Sequence, residues 1–222
     1  MIMKSIALVG IGRLGKALVK QWDNVNQKIG IYHPSNEKVN LFITNFSNGI
    51  PVSADKLPKM ETIILALPAE KVKEFLKLHH YTNSTYVNMA TSVQTTVLQK
   101  EFPNLQIVSM KFVGHAQDLY LNGNGYFITE QGVPDNIISL FSKIGEVRKG
   151  NPDVVYEINK LATYYGIKAA VELEKELKSK NFDPVVIERA LISIAPEVMK
   201  AYLKGDLGHF ARSVAEQMQK QE

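Results

Sequence analysis

No cysteine occurs anywhere in the chain. That excludes disulfides, a thiolate nucleophile and cysteine-bound metal, and it accords with a reducing compartment. Long apolar runs are missing as well. About eighteen uncharged apolar residues in a row would be needed for a membrane span, and no stretch approaches that. The apolar run Ile6-Ala7-Leu8-Val9 is too short for the core of a signal peptide, and Arg13 soon interrupts it. Charge of one sign never gathers into a block. The 26 Lys and Arg against 22 Asp and Glu leave a net charge of +4, scattered in a way that suits anionic small ligands and gives no nucleic-acid footprint. No His-x-x-x-His pair or carboxylate cluster has metal-ligand spacing, so no metal is expected. No Ser-His-Asp arrangement can be assigned from spacing. The expectation is a cytoplasmic protein with a small-molecule partner, without membrane or nucleic acid. With 222 residues, 45% of them hydrophobic, there is room for one large domain and an appendage.

What is present centres on Ser5-Ile6-Ala7-Leu8-Val9-Gly10-Ile11-Gly12-Arg13-Leu14-Gly15-Lys16. A run of strand length ends in Gly-x-Gly-x-x-Gly, and an amphipathic helix follows directly. In a dinucleotide fold Gly10 makes the sharp turn, Gly12 lets a pyrophosphate approach the backbone, and Gly15 lets helix and strand pack closely. The unpaired amides of the helix start, over Ile11, Arg13 and Leu14, then face the phosphates. The glycine spacing alone is weak, and the flanking strand and helix give it weight.

Strands and helices then alternate. Lys28-Ile29-Gly30-Ile31-Tyr32 reads as a second strand, residues 37–46 as a helix, Ile50-Pro51-Val52 as a short strand and Thr62-Ile63-Ile64-Leu65-Ala66-Leu67 as a central strand buried on both faces. Further strands are expected at 85–89, 105–110, 125–129 and 145–148, with helices at 70–78, 94–99 and 134–143. This order predicts an α/β, Rossmann-type, mostly parallel sheet over residues 1–150. From Asn151 the pattern turns purely helical, with an apolar seam Val154, Ile158, Leu161, Tyr165, Ala169, Leu173 and Leu177 on one long helix. Gly166 within it suggests close packing. A second helix from Asp183-Pro184 is apolar on nearly every side and is expected to kink at Pro196. Residues 151–222 are too few to bury it alone, so the tail is expected to be a small all-helical dimerisation domain that makes a homodimer.

In such sheets ligands bind beyond the carboxyl ends of the strands. That rule collects Gly10, Ile11, Gly12 and Arg13, then His33, Ser35 and Asn36, then Leu67, Pro68 and Ala69, then Met89, Ala90 and Thr91, and finally Lys111 to His115. The exit of the second strand, His33-Pro34-Ser35-Asn36-Glu37, lacks the acidic residue that holds a ribose 2'-hydroxyl in NAD-binding folds. Imidazole, hydroxyl and amide groups can instead hydrogen-bond a 2'-phosphate, which favours NADP over NAD. The plainer alternative is a turn at His33-Pro34 with Ser35 as helix cap. Lys111 and His115 follow the sixth strand on the binding rim and could donate a proton or pair with a substrate carboxylate. Tyr164, with Thr163, lies one step off the helical seam and could face the cleft. His79-His80 reads as a solvated helix end and His209 near Asp206 as a capped turn.

Three stretches, Val9-Gly10-Ile11-Gly12-Arg13-Leu14-Gly15, Ser35-Asn36-Glu37-Lys38 and Ile64-Leu65-Ala66-Leu67-Pro68-Ala69, resemble the pyrroline-5-carboxylate reductase family. More broadly they resemble its superfamily of deazaflavin-coenzyme NADP reductases and prephenate dehydrogenases. The resemblance implies NADP binding, with Ala66, Leu67 and Pro68 at the nicotinamide side, and hydride transfer to a carbon–nitrogen or carbon–oxygen double bond. The family's Ser-Gly-Ser-Gly-Pro-like stretch is replaced by Leu161-Ala162-Thr163-Tyr164-Tyr165-Gly166, and its Ser-Pro-Gly-Gly-Thr-Thr segment is missing. The expected function is therefore an NADP-dependent oxidoreductase of a small imine or carbonyl rather than proline synthesis. The alternative is a non-catalytic NAD(P)-binding sensor.

Overall fold

The computed structural model describes residues 5–220. By its internal contacts the chain divides into two compact units, Met1–Lys160 and Leu161–Glu222. The division falls inside a long helix, beyond the Asn151 start of the all-helical region.

The first unit begins with β1 (Ile6–Val9), α1 (Arg13–Asn24), β2 (Ile29–Tyr32), α2 (Asn36–Ile43) and β3 (Gly49–Pro51). A 3-10 turn at Ala54–Lys59 leads to β4 (Thr62–Leu65), α3 (Ala69–Leu78), β5 (Thr85–Asn88), α4 (Thr95–Glu101) and β6 (Gln106–Ser109). The six strands make one sheet in the order β3-β2-β1-β4-β5-β6, and every pairing in it is parallel. The order reverses between β1 and β4, which is where a ligand crevice opens in a doubly wound sheet. Alternation along the central strands sends side chains to two cores. Leu8, Ile64 and Val87 join one apolar cluster with Leu18 and Trp22. Ala7, Val9, Ile63, Leu65 and Tyr86 join the other with Val72, Phe75 and Leu76.

From its apolar pattern the sixth strand is expected to run to Met110, with Lys111 in the loop after it. The structure differs. β6 ends at Ser109, and β7 (Lys111–Phe112) starts a second sheet with β8 (Gly125–Thr129) and β9 (Gly145–Lys149), in the order β7-β8-β9. β7 pairs antiparallel with β8, and β9 runs parallel to β8. Between these strands lie α5 (Ala116–Asn122) and α6 (Asp135–Ser142). Two side chains of α1 tie this second layer down. The fully buried Trp22 donates from Nε1 to the Leu140 carbonyl at 3.1 Å and meets the Phe141 ring edge-on at 5.4 Å. Gln21 donates from Nε2 to the Leu119 and Tyr120 carbonyls in the last turn of α5, at 2.7 and 3.0 Å.

α7 (Val154–Ser179) starts in the first unit and continues through the second, followed by α8 (Pro184–Arg189), α9 (Ala195–Lys204) and α10 (His209–Gln219). Asp183 caps α8 by accepting from the Val185 amide at 2.8 Å. The expected kink at Pro196 takes a specific form: residues Ala190–Ile194 make a π turn, with the Ala195 amide donating to the Ala190 carbonyl. Proline cannot donate the next helical bond, and a wider turn relieves that missing donor. Gly205, in the left-handed region at φ +68°, ends α9.

Apolar side chains of the second unit are largely uncovered. Among its described residues Ile187 is the buried large apolar side chain, whereas Leu161, Tyr165, Val171, Ile192, Ile194 and Met199 are exposed. Tyr165 therefore does not pack in a core of this chain, as the seam suggests it should. A Cβ on Gly166 would meet nothing within 4 Å, so the close packing expected there is absent as well. His209 opens α10 directly after the Gly208 cap. No helix among the described residues is long and apolar enough to cross a membrane.

Candidate active site

The crevice starts at the turn after β1. Gly10 sits at φ +109°, where an L side chain is strained, and a Cβ there would meet the Ala66 carbonyl oxygen at 2.3 Å. A Cβ on Gly15 would meet the Gly10 carbonyl oxygen at 1.9 Å, so α1 can approach β1 only without one. Gly12 behaves differently. Its φ is −74°, and a Cβ there would point into open space. Two glycines of the motif are thus required by the fold, and the third keeps a space clear. Lys16 closes the first turn of α1 on the Gly12 carbonyl at 2.8 Å, and helix geometry leaves the amides of Arg13, Leu14 and Gly15 without intrahelical acceptors. No acidic residue lies in that turn, so the positive end of the helix dipole is unopposed. These features fit a pyrophosphate.

On the β2 side a cavity of about 400 Å³ is lined by Gly10, Tyr32, His33, Pro34, Phe75 and His79. His79 lies 4.5 Å from the Phe75 ring, and its Nδ1 is 2.9 Å from the Tyr81 hydroxyl. It is therefore part of an aromatic wall, contrary to the solvated helix end expected for His79-His80, and burial, with a smaller contribution from His80, holds its pKa below the ordinary value. His80 is exposed. At the β2 exit the turn takes the plainer form as well. His33 Nδ1 accepts from the Ser35 amide at 2.9 Å, and Ser35 Oγ caps α2 by accepting from the Lys38 amide at 3.3 Å. Asn36 is exposed at the helix start. The one carboxylate lining this cavity, Glu74, is paired with Lys71 at 2.7 Å.

On the other side of the switch point a cleft of about 510 Å³ is lined by Gly12, Arg13, Leu14, Ala66, Leu67, Pro68, Ala90, Thr91, Ser92 and His115, together with Phe112 and Asn159. The sequence-derived residues Gly12, Arg13, Leu14, Ala66 to Pro68, Ala90 and His115 are thus brought to one wall-to-wall space, while Gly10 and His33 line the neighbouring cavity. Ile11 is half-buried and Gly15 buried beneath the turn.

Lys111 is the main correction. It is 1% exposed, and its Nζ donates to the Ala90 carbonyl and to the Val93 carbonyl at 3.2 Å. Its ammonium lies under the loop that floors the cleft and does not line the cleft. Burial pulls its pKa down to about 7, against the opposing pull of Asp153 and Glu130.

His115 keeps its expected place. It is exposed to the cleft and caps α5, its Nδ1 accepting from the Gln117 amide at 3.3 Å. With Nδ1 an acceptor, a neutral ring carries its proton on Nε2, leaving a donor free for a ligand. Arg13 and His115 are the titratable side chains among those lining this cleft. Asn159, on the first turns of α7, escaped the sequence reading. It accepts from the Gly114 amide at 3.3 Å and donates to the Phe112 carbonyl at 3.1 Å, fixing the loop that leads to His115. Nothing in its local sequence marks it, because its partners are backbone atoms more than forty residues away. Tyr164 belongs to the second unit, where it is exposed and its ring meets that of Tyr165 edge-on at 5.2 Å.

Comparison with known proteins bears on this geometry. Residues 5–91 match the family model described as NADP oxidoreductase, coenzyme F420-dependent. The nucleotide domain thus carries the superfamily resemblance read from its motifs. No curated protein sequence matches the chain. Among solved structures, a reductive aminase from Aspergillus terreus, in complex with NADPH and ethyl-5-oxohexanoate, is similar over 90% of this chain and 75% of its own, with a TM-score of 0.68 and 12% identity. An imine reductase from Streptomyces aurantiacus is similar over 97% of this chain and 78% of its own, with a TM-score of 0.67 and 11% identity. An imine reductase variant from Myxococcus stipitatus, in complex with NAD+, is similar over 92% and 75%, with a TM-score of 0.61 and 10% identity. The chain shares their fold: a Rossmann-type sheet followed by a helical region.

Proposed function

We propose that the protein is an NADP-dependent oxidoreductase that transfers hydride to or from a small imine or carbonyl compound. The observation that carries this reading is the space kept clear at Gly12, facing a helix start without acidic residues, at the switch point of the sheet. The family model matched by residues 5–91 and the NADPH held by one structural neighbour support the same reading.

In this reading the amides of Arg13, Leu14 and Gly15 hold the pyrophosphate and Arg13 adds positive charge at its edge. The cavity lined by Tyr32, Phe75 and His79 takes the adenine, and the exit at His33, Ser35 and Asn36 meets the ribose without a carboxylate to repel a 2'-phosphate. The nicotinamide half lies against Ala66, Leu67, Pro68 and Ala90. When bound, the cofactor supplies the hydride, and the chain has only to place the substrate and move a proton. His115 supplies that proton from Nε2 to the nitrogen or oxygen of the reduced bond. Asn159 holds the His115 loop in register. Tyr164 stays a candidate for the substrate side. The uncovered helices of the second unit pair with a second copy of the chain.

Fluorescence titration with NADPH and NADH tests the reading, followed by a screen of keto and imino compounds for turnover. Tight NADPH binding, weaker NADH binding and turnover of an imine or carbonyl are expected. Binding without any turnover favours the sensor alternative, and binding of neither nucleotide removes both.

A further inference from the structure

Lys111 is a buried cationic side chain that this mechanism leaves unused, and it is costly where it sits. A methionine would fill the same volume without taking an ammonium out of water. The ammonium's partners explain its presence. The loop between β5 and α4 turns sharply under the cleft, and the carbonyls of Ala90 and Val93 point down into the protein, where they need donors. Lys111 Nζ supplies both. Asn88 completes the clamp, donating from Nδ2 to the Val93 carbonyl at 3.1 Å and to Thr95 Oγ1 at 2.9 Å while its Oδ1 accepts from the Ala90 amide at 3.1 Å. The polar layer extends to Ser109, whose hydroxyl donates to Thr95 Oγ1 at 2.6 Å and whose amide donates to Glu130 Oε1 at 2.7 Å. Glu130 Oε2 is buried and has no hydrogen-bond partner among the described residues, leaving negative charge near the ammonium. The upper face of the same loop, at Ala90, Thr91 and Ser92, lines the cleft.

We propose that Lys111 is a positioning residue for the nicotinamide half of the cofactor: by holding the Ala90 and Val93 carbonyls from below, it fixes the cleft-facing surface of residues 90–92. This rests on the NADP reading above and goes further by separating the two halves of the site. The adenosine half, formed at the β2 exit and α3, owes nothing to Lys111.

The experiment compares wild type with Lys111→Met in titrations of two probes, NADPH and adenosine 2',5'-bisphosphate, which carries the adenosine end alone. The expected result is an about tenfold weaker NADPH affinity, the scale of one lost charge-assisted hydrogen bond, with the bisphosphate affinity unchanged. Equal weakening of both, or of neither, overturns the proposal, because a merely structural lysine would not discriminate between the halves. Should wild type bind neither probe, the NADP reading fails and the inference falls with it. Should Lys111→Met not fold, wild type labelled with [13Cε]lysine decides. The lysine signal that titrates near neutrality is expected to move on adding NADPH and to ignore the bisphosphate. No movement with NADPH overturns the proposal.

Discussion

At the scale of single residues, the glycine motif separates into two jobs that the sequence presents as one. Gly10 and Gly15 are demanded by backbone contacts of 2.3 and 1.9 Å from a notional Cβ, and Gly12 by nothing in the chain itself. Gly12→Val should therefore unfold at the wild-type temperature and lose NADPH affinity by at least about a hundredfold, as thermal melts and fluorescence titration would register. Gly15→Ala should cost more than about 3 kcal/mol, since backbone must move to admit the methyl. His115→Ala should lower turnover by about a hundredfold or more while NADPH affinity stays near wild type, which kcat and binding measured side by side would separate. Lys111 gives a pH signature. Its pKa is about 7 in the folded chain against 10.5 as the ordinary value. Between those values the unfolded chain binds a proton that the folded chain does not, so stability rises with pH across that window, by at most about 1.4 kcal/mol per pH unit. Below pH 7 both states are charged, and the slope from this group vanishes. Denaturant melts of wild type minus Lys111→Met should show that difference.

Elements were legible wherever periodicity was strong. The strands at β1, β2, β4 and β5, the 26-residue helix α7 and the disturbance at Pro196 follow from apolar runs, seam spacing and a missing donor. The second sheet was not legible as a separate layer. β7 has two residues, too few for any alternation, and its pairing with β8 is a tertiary event. That one step also misplaced Lys111, since a residue read as loop is read as exposed. Asn159 escaped for the same reason: its partners are distant in sequence. Trp22 bridges the two layers through both packing and a hydrogen bond. Trp22→Ala should therefore cost about 3–5 kcal/mol, whereas Trp22→Phe, which keeps most of the ring but loses the bond to Leu140, should cost less. Urea denaturation of the two variants would rank them.

For the molecule as a whole, the second unit sets the expectation. Apolar side chains along α7, α8, α9 and α10 face outward, and α9 and α10 enclose a groove of about 540 Å³ lined by Val198, Met199, Tyr202, Val214 and Met218. An uncovered surface of that kind marks an association site. Sedimentation should give twice the 24.9 kDa chain mass, and paired Val198→Glu and Val214→Glu changes should shift the equilibrium toward single chains. The apolar composition of this tail, and the expectation of a homodimer drawn from it, were plain in the sequence.

The phosphate cradle proposed at the start of α1 is made of main-chain amides, and its single demand on residue identity, at Gly12, is the absence of a Cβ. A site of that kind has no side-chain vocabulary to lose. Substitutions around it can accumulate without altering its donors, and the chain keeps its fold in common with solved structures at 10–12% identity. Its failure mode is addition rather than removal. A single methyl group at residue 12 would begin to close what no deletion of a neighbouring side chain can open further.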